Sequence, residues 1–237
     1  MEPDADLAAI GRLIGDRNRA QILQILLSGL PQSGSSLASA LGISRSLASA
    51  HLTKLTAGGL VRAERTGREQ LYSIAGQPVA DAVEMLLLIA PATPVRSLQG
   101  SVRMRGLRWA RMCYDHLAGV VGVGVTDTLI ALDVIGEQDG AWVLGPRGPQ
   151  VLGQLGLDVV ALRRKSRPLL RACMDGTERR HHVAGSVGQA ITDEFLRRDW
   201  VRRQEGTRIV TLTPAGCAGL SAWLDLDVAA LREARAA

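Results

Sequence analysis

The 237-residue chain has few aromatic residues, few cysteines and no long hydrophobic run. Aromatic residues make up only 3% of it, so we expect cores built from Leu, Val, Ile and Ala. The longest largely apolar stretch, around residues 83–92, is about half the length of a membrane-spanning helix. The acidic N-terminus lacks the basic start of a secretory signal peptide. These absences predict a folded cytoplasmic protein.

Lysine is also scarce, since only Lys54 and Lys165 among the 28 basic residues are lysine. The net charge of +5 and a pI near 9.7 favour a polyanionic partner. Cys113, Cys173 and Cys217 lie far apart in sequence, which indicates reduced thiols in a cytoplasmic protein. The length suggests two domains.

Residues 35–72 have the pattern of two short helices followed by a hairpin. Ser35 is expected to cap a helix that ends at Gly42, and Ser44 to cap a second helix that ends before Gly58. The second helix has one apolar face, formed by Leu47, Ala48, His51, Leu52 and Leu55.

Two strands, Leu60–Arg65 and Glu69–Ile74, are predicted around a charged tip at residues 66–68. A basic hairpin beside such a helix is typical of a winged helix-turn-helix that binds DNA. Short side chains allow close approach to bases, and cations reach phosphates. The candidates for groove contacts are Ser44, Arg45, Ser46, Ser49 and Ala50, and those for phosphate or minor-groove contacts are Lys54, Arg62, Arg65 and Arg68.

The chain over roughly residues 5–90 resembles the ArsR/SmtB-type regulators. The resemblance is carried by the motifs at residues 14–26, 37–44, 49–55 and 59–61. It implies a homodimer that binds an inverted-repeat operator in double-stranded DNA, usually as a repressor released by a ligand. It also implies a dimer interface made by the helices Leu7–Ile14 and Val79–Ala90. Packing of the second helix against the rest of its own chain is the alternative.

We predict a predominantly α fold with small β wings (α+β). A winged helix-turn-helix domain at residues 1–92 is expected to be followed by a linker at 93–106, marked by Pro91 and Pro94. A duplicated sensor or interaction domain is expected at 107–237, with winged-helix-like units at about 107–162 and 168–231. Each unit should contain a long helix, one or two short strands and a short helix opened by Pro-x-Gly.

An internal repeat supports this duplication. The sequence HLAGVVG at residues 116–122 returns as HVAGSVG at 182–188, and Thr126-Asp127 returns as Thr192-Asp193. Two halves that each fail to bury an apolar face alone would pack on one another. The basic run at residues 163–167 joins them and is expected to be a solvated linker, with contact to DNA phosphates as the alternative.

Each unit carries a cysteine and an aspartate before its repeated histidine. The candidate sensor residues are Cys113, Asp115, His116, Cys173, Asp175 and His182. We expect the Cys-x-x-His spacing to place both residues on adjacent helix turns. If the halves pack by a pseudo-twofold axis, a metal could be held by Cys113, His116, Cys173 and His182. Haem, thiol oxidation, an organic ligand and a purely structural role remain alternatives.

The metal sites usual in the resembled family are missing, because the helix 35–41 has no cysteine and the helix 79–90 has no histidine. Any signal is therefore expected to enter through the C-terminal domain. No catalytic residues are predicted, since Gly119–Gly124 lacks the spacing of a nucleotide loop and no oxyanion donor accompanies Cys113. The alternative function is a DNA-binding regulator whose C-terminal domain is a protein-interaction or oligomerisation module without a ligand.

Overall fold

The computed structural model describes residues 5–91 and 97–234. The chain divides into two compact units, one formed by Met1–Leu87 with Glu205–Thr207 and the other by Leu88–Gln204 with Arg208–Ala237. Within the described ranges, no helix has both the length and the apolar character needed to span a membrane.

The first unit is a winged helix-turn-helix. Its elements are α1 (Leu7–Ile14), α2 (Arg17–Leu26), β1 (Gln32–Ser33), α3 (Gly34–Leu41), α4 (Arg45–Ala57), β2 (Val61–Thr66), β3 (Glu69–Ile74) and α5 (Gln77–Ile89). The last two residues of α5, Leu88 and Ile89, belong to the second unit. The three strands form an antiparallel sheet in the order β1-β3-β2. The predicted fold class is confirmed, and the predicted wing differs by one residue at each end of its first strand.

Local capping explains the turn between α3 and α4. Gly42 adopts a left-handed conformation with φ of 67°, which stops α3. The Ser44 hydroxyl then accepts the Leu47 amide at 3.2 Å and starts α4. The predicted cap of α3 is wrong by two residues, because Ser33 and not Ser35 accepts the Ser36 amide.

The core face of α4 is narrower than predicted. Ala48, His51, Leu52 and Leu55 are buried, but Leu47 is 42% exposed. Leu47 lies in the first turn of α4, directly after the turn that joins α3 to α4, and its side chain is exposed to solvent there. The strand β1 was not predicted, since two residues give no periodic signal.

The second unit contains the remaining elements. They are α6 (Leu98–Trp109), β4 (Arg111–Cys113), β5 (His116–Ala118), α7 (Gly119–Ala131), β6 (Ile135–Gln138), β7 (Ala141–Leu144), α8 (Gly148–Gln154), α9 (Val159–Arg163), β8 (Arg171–Met174), β9 (His181–Ala184), α10 (Gly185–Arg197), β10 (Val201–Arg203), β11 (Val210–Leu212), α11 (Pro214–Leu224) and α12 (Val228–Glu233). The strands of this unit pair as two-stranded antiparallel hairpins, which are β4–β5, β6–β7, β8–β9 and β10–β11.

The predicted linker at 93–106 is wrong from residue 98 onward, because α6 begins there. The Ser97 hydroxyl accepts the Gly100 amide at 3.0 Å and caps the helix. Gly106 lets α6 approach Ile209, since a Cβ at this glycine would lie 3.1 Å from the Ile209 side chain. Residues 93–96 of the predicted linker lie outside the described part of the chain.

The duplication has the form hairpin, long helix, hairpin and two shorter helices. The first half runs from β4 to α9 and the second from β8 to α12. The hairpins β4–β5 and β8–β9, which precede the long helices, were missed by the sequence analysis. Both halves share one apolar core. Contrary to the expectation of a purely aliphatic core, the fully buried Phe195 packs against Trp200 and Trp223.

Two threonines join the halves reciprocally. The Thr192 hydroxyl on α10 accepts the Leu117 amide of β5 at 2.9 Å. The Thr126 hydroxyl on α7 accepts the Val183 amide of β9 at 2.8 Å. The hairpin of each half is thus fixed to the long helix of the other, which explains why Thr126 and Thr192 are repeated in the sequence.

Candidate metal centre and nucleic-acid interface

The hairpins place each cysteine directly opposite its histidine. Cys113 pairs with His116 across β4–β5, and Cys173 pairs with His182 across β8–β9. Opposed residues of an antiparallel pair project from the same face, so each hairpin presents one thiol and one imidazole together. The expectation that these residues lie on helix turns is therefore wrong. The strand pairing also explains why the two spacings differ, because the second hairpin has one further residue pair, Met174 with His181, and a longer loop after the cysteine.

The four side chains converge between the two halves. One potential ligand atom from each of Cys113, His116, Cys173 and His182 lies within 4.8 Å of the other three, and all four residues are buried. The two sulfurs are 3.8 Å apart, well beyond the ~2.05 Å of a disulfide bond. The two imidazole rings stack with centroids 5.0 Å apart. The donor set is two sulfurs and two nitrogens, a combination that suits zinc and similar ions.

Each histidine has an aspartate beside its Nδ1 atom. His116 Nδ1 lies 3.0 Å from Asp115 Oδ1, and His182 Nδ1 lies 3.6 Å from Asp175 Oδ2. Both Nε2 atoms are buried without a hydrogen-bond partner among the described residues. A carboxylate beside one ring nitrogen favours a proton there and leaves the other nitrogen available to a metal. The arrangement therefore directs Nε2 of His116 toward a ligand role, whereas both ring nitrogens of His182 are buried without a hydrogen-bond partner among the described residues.

Two arginines form ion pairs with these aspartates. Arg111 of the first half lies 3.0 Å from Asp175, and Arg167, which precedes the second half, forms an ion pair with Asp115. Asp175 also accepts the Gly119 amide at 2.6 Å. Gly119 has a φ of 81°, and a Cβ there would lie 2.7 Å from the Arg108 carbonyl oxygen. The sequence analysis gave Arg111 no role and placed Arg167 in a solvated linker, which is wrong for Arg167.

The two histidines of the cluster differ in how readily they carry a positive charge. Burial disfavours a charged imidazole, yet the charge of Cys113 and the hydrogen bond with Asp115 raise the pKa of His116 to about 9. Burial and the adjacent charge of His116 lower the pKa of His182 well below its ordinary value. Burial opposes ionisation of Asp175, but Arg111 and His182 lower its pKa to about 2. In this environment a positive charge is therefore favoured on His116 and opposed on His182.

The geometry does not fit a haem. The donor atoms of the four residues all lie within 4.8 Å, and His116 and His182 have no exposed surface. A porphyrin is much wider than this space and would have to separate the two stacked rings. The space between the four donor atoms fits a bare ion, and it is too small for the haem that the sequence left open as an alternative.

The residues expected to contact DNA are all exposed in the first unit. They are Ser44, Arg45, Ser46, Ser49, Ala50, Lys54, Arg62, Arg65 and Arg68. The first five lie at the N-terminal cap and on the first two turns of α4, and the arginines lie on β2 and at the tip after it. Ser44 has a second task, because its hydroxyl caps α4 and lies 3.0 Å from the Ser46 hydroxyl. Its removal would affect the helix as well as any base contact.

Apolar side chains are exposed on the two helices expected to dimerise. Leu7 on α1 is 81% exposed, and Ile89 on α5 is 79% exposed. Met85 and Leu86 on α5 are also exposed. Met85, Leu86 and Ile89 lie within four residues of one another on α5, and exposed apolar residues so close together are typical of an interaction surface.

Comparison with known proteins identifies the family. Residues 14–64 match a family described as a helix-turn-helix domain. The chain is 35% identical over 211 residues to the HTH-type transcriptional regulator YdfF of Bacillus subtilis (strain 168), which covers 89% of this chain and 93% of YdfF. The chain belongs to the ArsR/SmtB-type HTH transcriptional regulators. It is a DNA-binding transcriptional regulator.

Other members of this family match the N-terminal part of the regulator. CmtR of Mycobacterium tuberculosis is 38% identical over 89 residues, which are 38% of this chain and 75% of CmtR. The NMR structure of the cadmium metal-sensor CmtR covers 38% of this chain and 94% of its own, at 37% identity and a TM-score of 0.32. The homodimeric winged helix-turn-helix domain of Mb0332 from Mycobacterium bovis covers 38% and 89%, at 32% identity and a TM-score of 0.33.

Proposed function

We propose that this regulator is a homodimeric repressor whose operator binding is controlled by a metal ion at the Cys/His cluster. The Cys/His cluster is the set Cys113, His116, Cys173 and His182. The observation that carries the proposal is the convergence of these four donors, buried within 4.8 Å of one another, from both halves of the C-terminal unit. An operator-binding role is consistent with the cytoplasmic location expected from the sequence.

The first unit supplies the DNA contacts in this proposal. The second helix of a helix-turn-helix enters the major groove with its N-terminal residues facing the bases. In α4 these residues include Arg45, Ser46 and Ser49, which are exposed. The wing carries Arg62, Arg65 and Arg68, which suit phosphates or a minor groove. A dimer formed through α1 and α5 would present two such units and would read an inverted repeat.

The second unit supplies the control. Each hairpin contributes one thiol and one imidazole, so an ion bound by all four would fasten the two halves together at this point. An ion that binds one arrangement of the halves better than another shifts the population of the two arrangements. The family's interface and thiolate sites have no counterpart residues in α3 or α5 of this chain. The signal therefore enters through the C-terminal unit.

The test measures operator binding with and without metal. The full-length protein first selects an operator from random duplexes, and fluorescence anisotropy then gives its affinity under reducing conditions, with Zn²⁺ or with EDTA. We expect an affinity change of at least about tenfold, which corresponds to ~1.4 kcal/mol of coupling. Cys113→Ser should abolish the response, while Cys217→Ser, outside the cluster, should retain it. Equal affinity of the metal-loaded and metal-free protein would refute this function.

A second candidate function is an interaction module without a ligand. It is favoured by the exposed apolar residues of α6, where Leu98 is 80% exposed and Val102 54% exposed. They lie four residues apart, on one face of the helix. The paired change Leu98→Ser and Val102→Ser should then reduce the assembly mass in sedimentation experiments. If the mass is unchanged, this surface does not mediate assembly.

A further inference from the structure

We infer that the Cys/His cluster is a closed, four-coordinate site for a divalent d¹⁰ ion of the size of Zn²⁺. The inference rests on the proposed function only in that it concerns the same site. It names the ion class and its coordination from the geometry of the four donors and their neighbours.

The distance between the two cysteine sulfurs matches that of a tetrahedral zinc site. In tetrahedral zinc sites the Zn–S bonds are about 2.3 Å, so the two sulfurs of a Zn-bound pair lie ~3.8 Å apart. The sulfurs of Cys113 and Cys173 are 3.8 Å apart in the structure. Linear coordination of Cu⁺ would require the same two sulfurs on opposite sides of the ion, at a clearly longer separation. The larger Cd²⁺ would require a small outward movement of both thiolates.

The histidines complete a closed coordination shell. Asp115 lies 3.0 Å from Nδ1 of His116, which leaves Nε2 of that ring for the ion. Both ring nitrogens of His182 are buried without a hydrogen-bond partner among the described residues, so His182 also has a nitrogen available to the ion. His116 and His182 have no exposed surface, and Cys113 and Cys173 are 3% and 8% exposed. Four protein donors leave no coordination position for water, which is the pattern of a binding site and not of a hydrolytic centre.

Charge balance favours a divalent ion over a monovalent one. Two bound thiolates and two neutral imidazoles carry a charge of −2, which a divalent ion cancels. The nearby carboxylates do not change this balance, because Asp115 pairs with Arg167 and Asp175 pairs with Arg111. A monovalent ion would leave one uncompensated negative charge in a buried site, which is unfavourable.

Cobalt substitution tests the inference directly on the full-length protein. Apo-protein is titrated with Co²⁺ under reducing, oxygen-free conditions and then with Zn²⁺ and with Cu⁺ in competition. We expect one Co²⁺ per chain, intense visible d–d bands of tetrahedral Co²⁺, and thiolate-to-Co²⁺ charge transfer in the near ultraviolet. Stoichiometric Zn²⁺ should displace Co²⁺. Weak octahedral bands, absence of thiolate charge transfer, or a two-coordinate Cu⁺ complex formed in preference to Zn²⁺ would overturn the inference.

Two pairs of variants locate the site. His182→Ala should remove the tetrahedral spectrum, whereas His181→Ala, one residue earlier and exposed, should retain it. Asp115→Asn should weaken Zn²⁺ binding by about 10–100-fold and keep the spectrum, as expected for a residue that orients a ligand. If His182→Ala and His181→Ala bind Co²⁺ equally, the assignment fails.

This result is independent of the regulatory role. A tetrahedral site whose loading leaves operator affinity unchanged would refute the proposed function and support the ion assignment. Operator binding that responds to Zn²⁺ without a tetrahedral thiolate spectrum would refute the ion assignment and support control by metal.

Discussion

The Leu117 amide donates a hydrogen bond to the Thr192 hydroxyl at 2.9 Å, from a strand of one half to the long helix of the other. Its counterpart joins Val183 to Thr126 at 2.8 Å. Both hydroxyls also donate within their own helices, to Gly188 and Gly122 respectively. The two hairpins that carry the Cys/His cluster are therefore fixed by the same pair of reciprocal contacts.

Loss of one of these hydroxyls should destabilise the C-terminal unit. Thr192→Val keeps the shape but leaves the buried Leu117 amide without an acceptor, at a cost of about 1–3 kcal/mol. Urea unfolding followed by tryptophan fluorescence measures it. Thr128→Val is the matched control, because its hydroxyl donates only along its own helix, to Gly124. A Thr192 variant as stable as the Thr128 variant would contradict the reciprocal arrangement.

Asp175→Asn should lower the free energy of unfolding by about 3–5 kcal/mol, since it leaves the buried Arg111 without its counter-charge. The folded-state pKa of Asp175 is lowered from 3.8 to about 2. Its contribution to stability is therefore fully present above about pH 4 and is lost as the pH falls toward 2. Asp127→Asn, which breaks the exposed pair with Arg180, should cost at most about 1 kcal/mol. Urea titrations between pH 3 and 7 would show whether the two variants differ in this way.

Two arginines of the first unit should affect DNA binding differently. Arg45→Ala should relax sequence preference, since Arg45 begins α4 at its groove-facing end. Arg68→Ala should weaken binding to all sequences and reduce the slope of log affinity against log salt by about 1. Anisotropy titrations with matched and mismatched duplexes at several salt concentrations separate the two effects. Unchanged sequence selectivity in Arg45→Ala would show that the face of α4 assigned to the bases is the wrong one.

Arg179 is expected to carry the metal signal toward α5, the helix proposed to form the dimer interface. It donates from Nη2 to the carbonyl oxygen of Leu88, in the last turn of α5, at 2.9 Å. Its amide donates to the carbonyl oxygen of Asp175, whose carboxylate lies beside His182. Arg179→Ala should therefore retain Co²⁺ binding but reduce the effect of metal on operator affinity. Arg180→Ala, at the neighbouring exposed position, serves as control. If Arg179→Ala responds to metal like the wild type, the signal takes another route.

Short-range sequence signals predicted most of the helix ends of the first unit. Asp16, Gly42 and Ser44 each have a local capping role that their neighbours in sequence reveal, and the structure has all three at helix ends. The exception is Ser35, because two adjacent serines and Ser33 offer competing caps and only the geometry selects Ser33.

The geometry of the candidate metal centre could not be predicted from local sequence signals. The repeat identified Cys113, His116, Cys173 and His182 as a group, but their hairpins are three or four residues per strand, too short for a period-two pattern. The partners Arg111 and Arg167 are 64 and 52 residues from their aspartates in sequence. Their roles depend on the packing of the two halves, which no local pattern encodes.

The central claim, that metal at the Cys/His cluster and operator at α4 influence one another, is tested most directly by thermodynamic reciprocity. Zn²⁺ affinity of the full-length protein is measured by competition with a chromophoric chelator, with and without saturating operator. If the account is right, operator changes Zn²⁺ affinity by the same factor by which Zn²⁺ changes operator affinity, at least about tenfold. An identical Zn²⁺ affinity in the presence and absence of operator would contradict it.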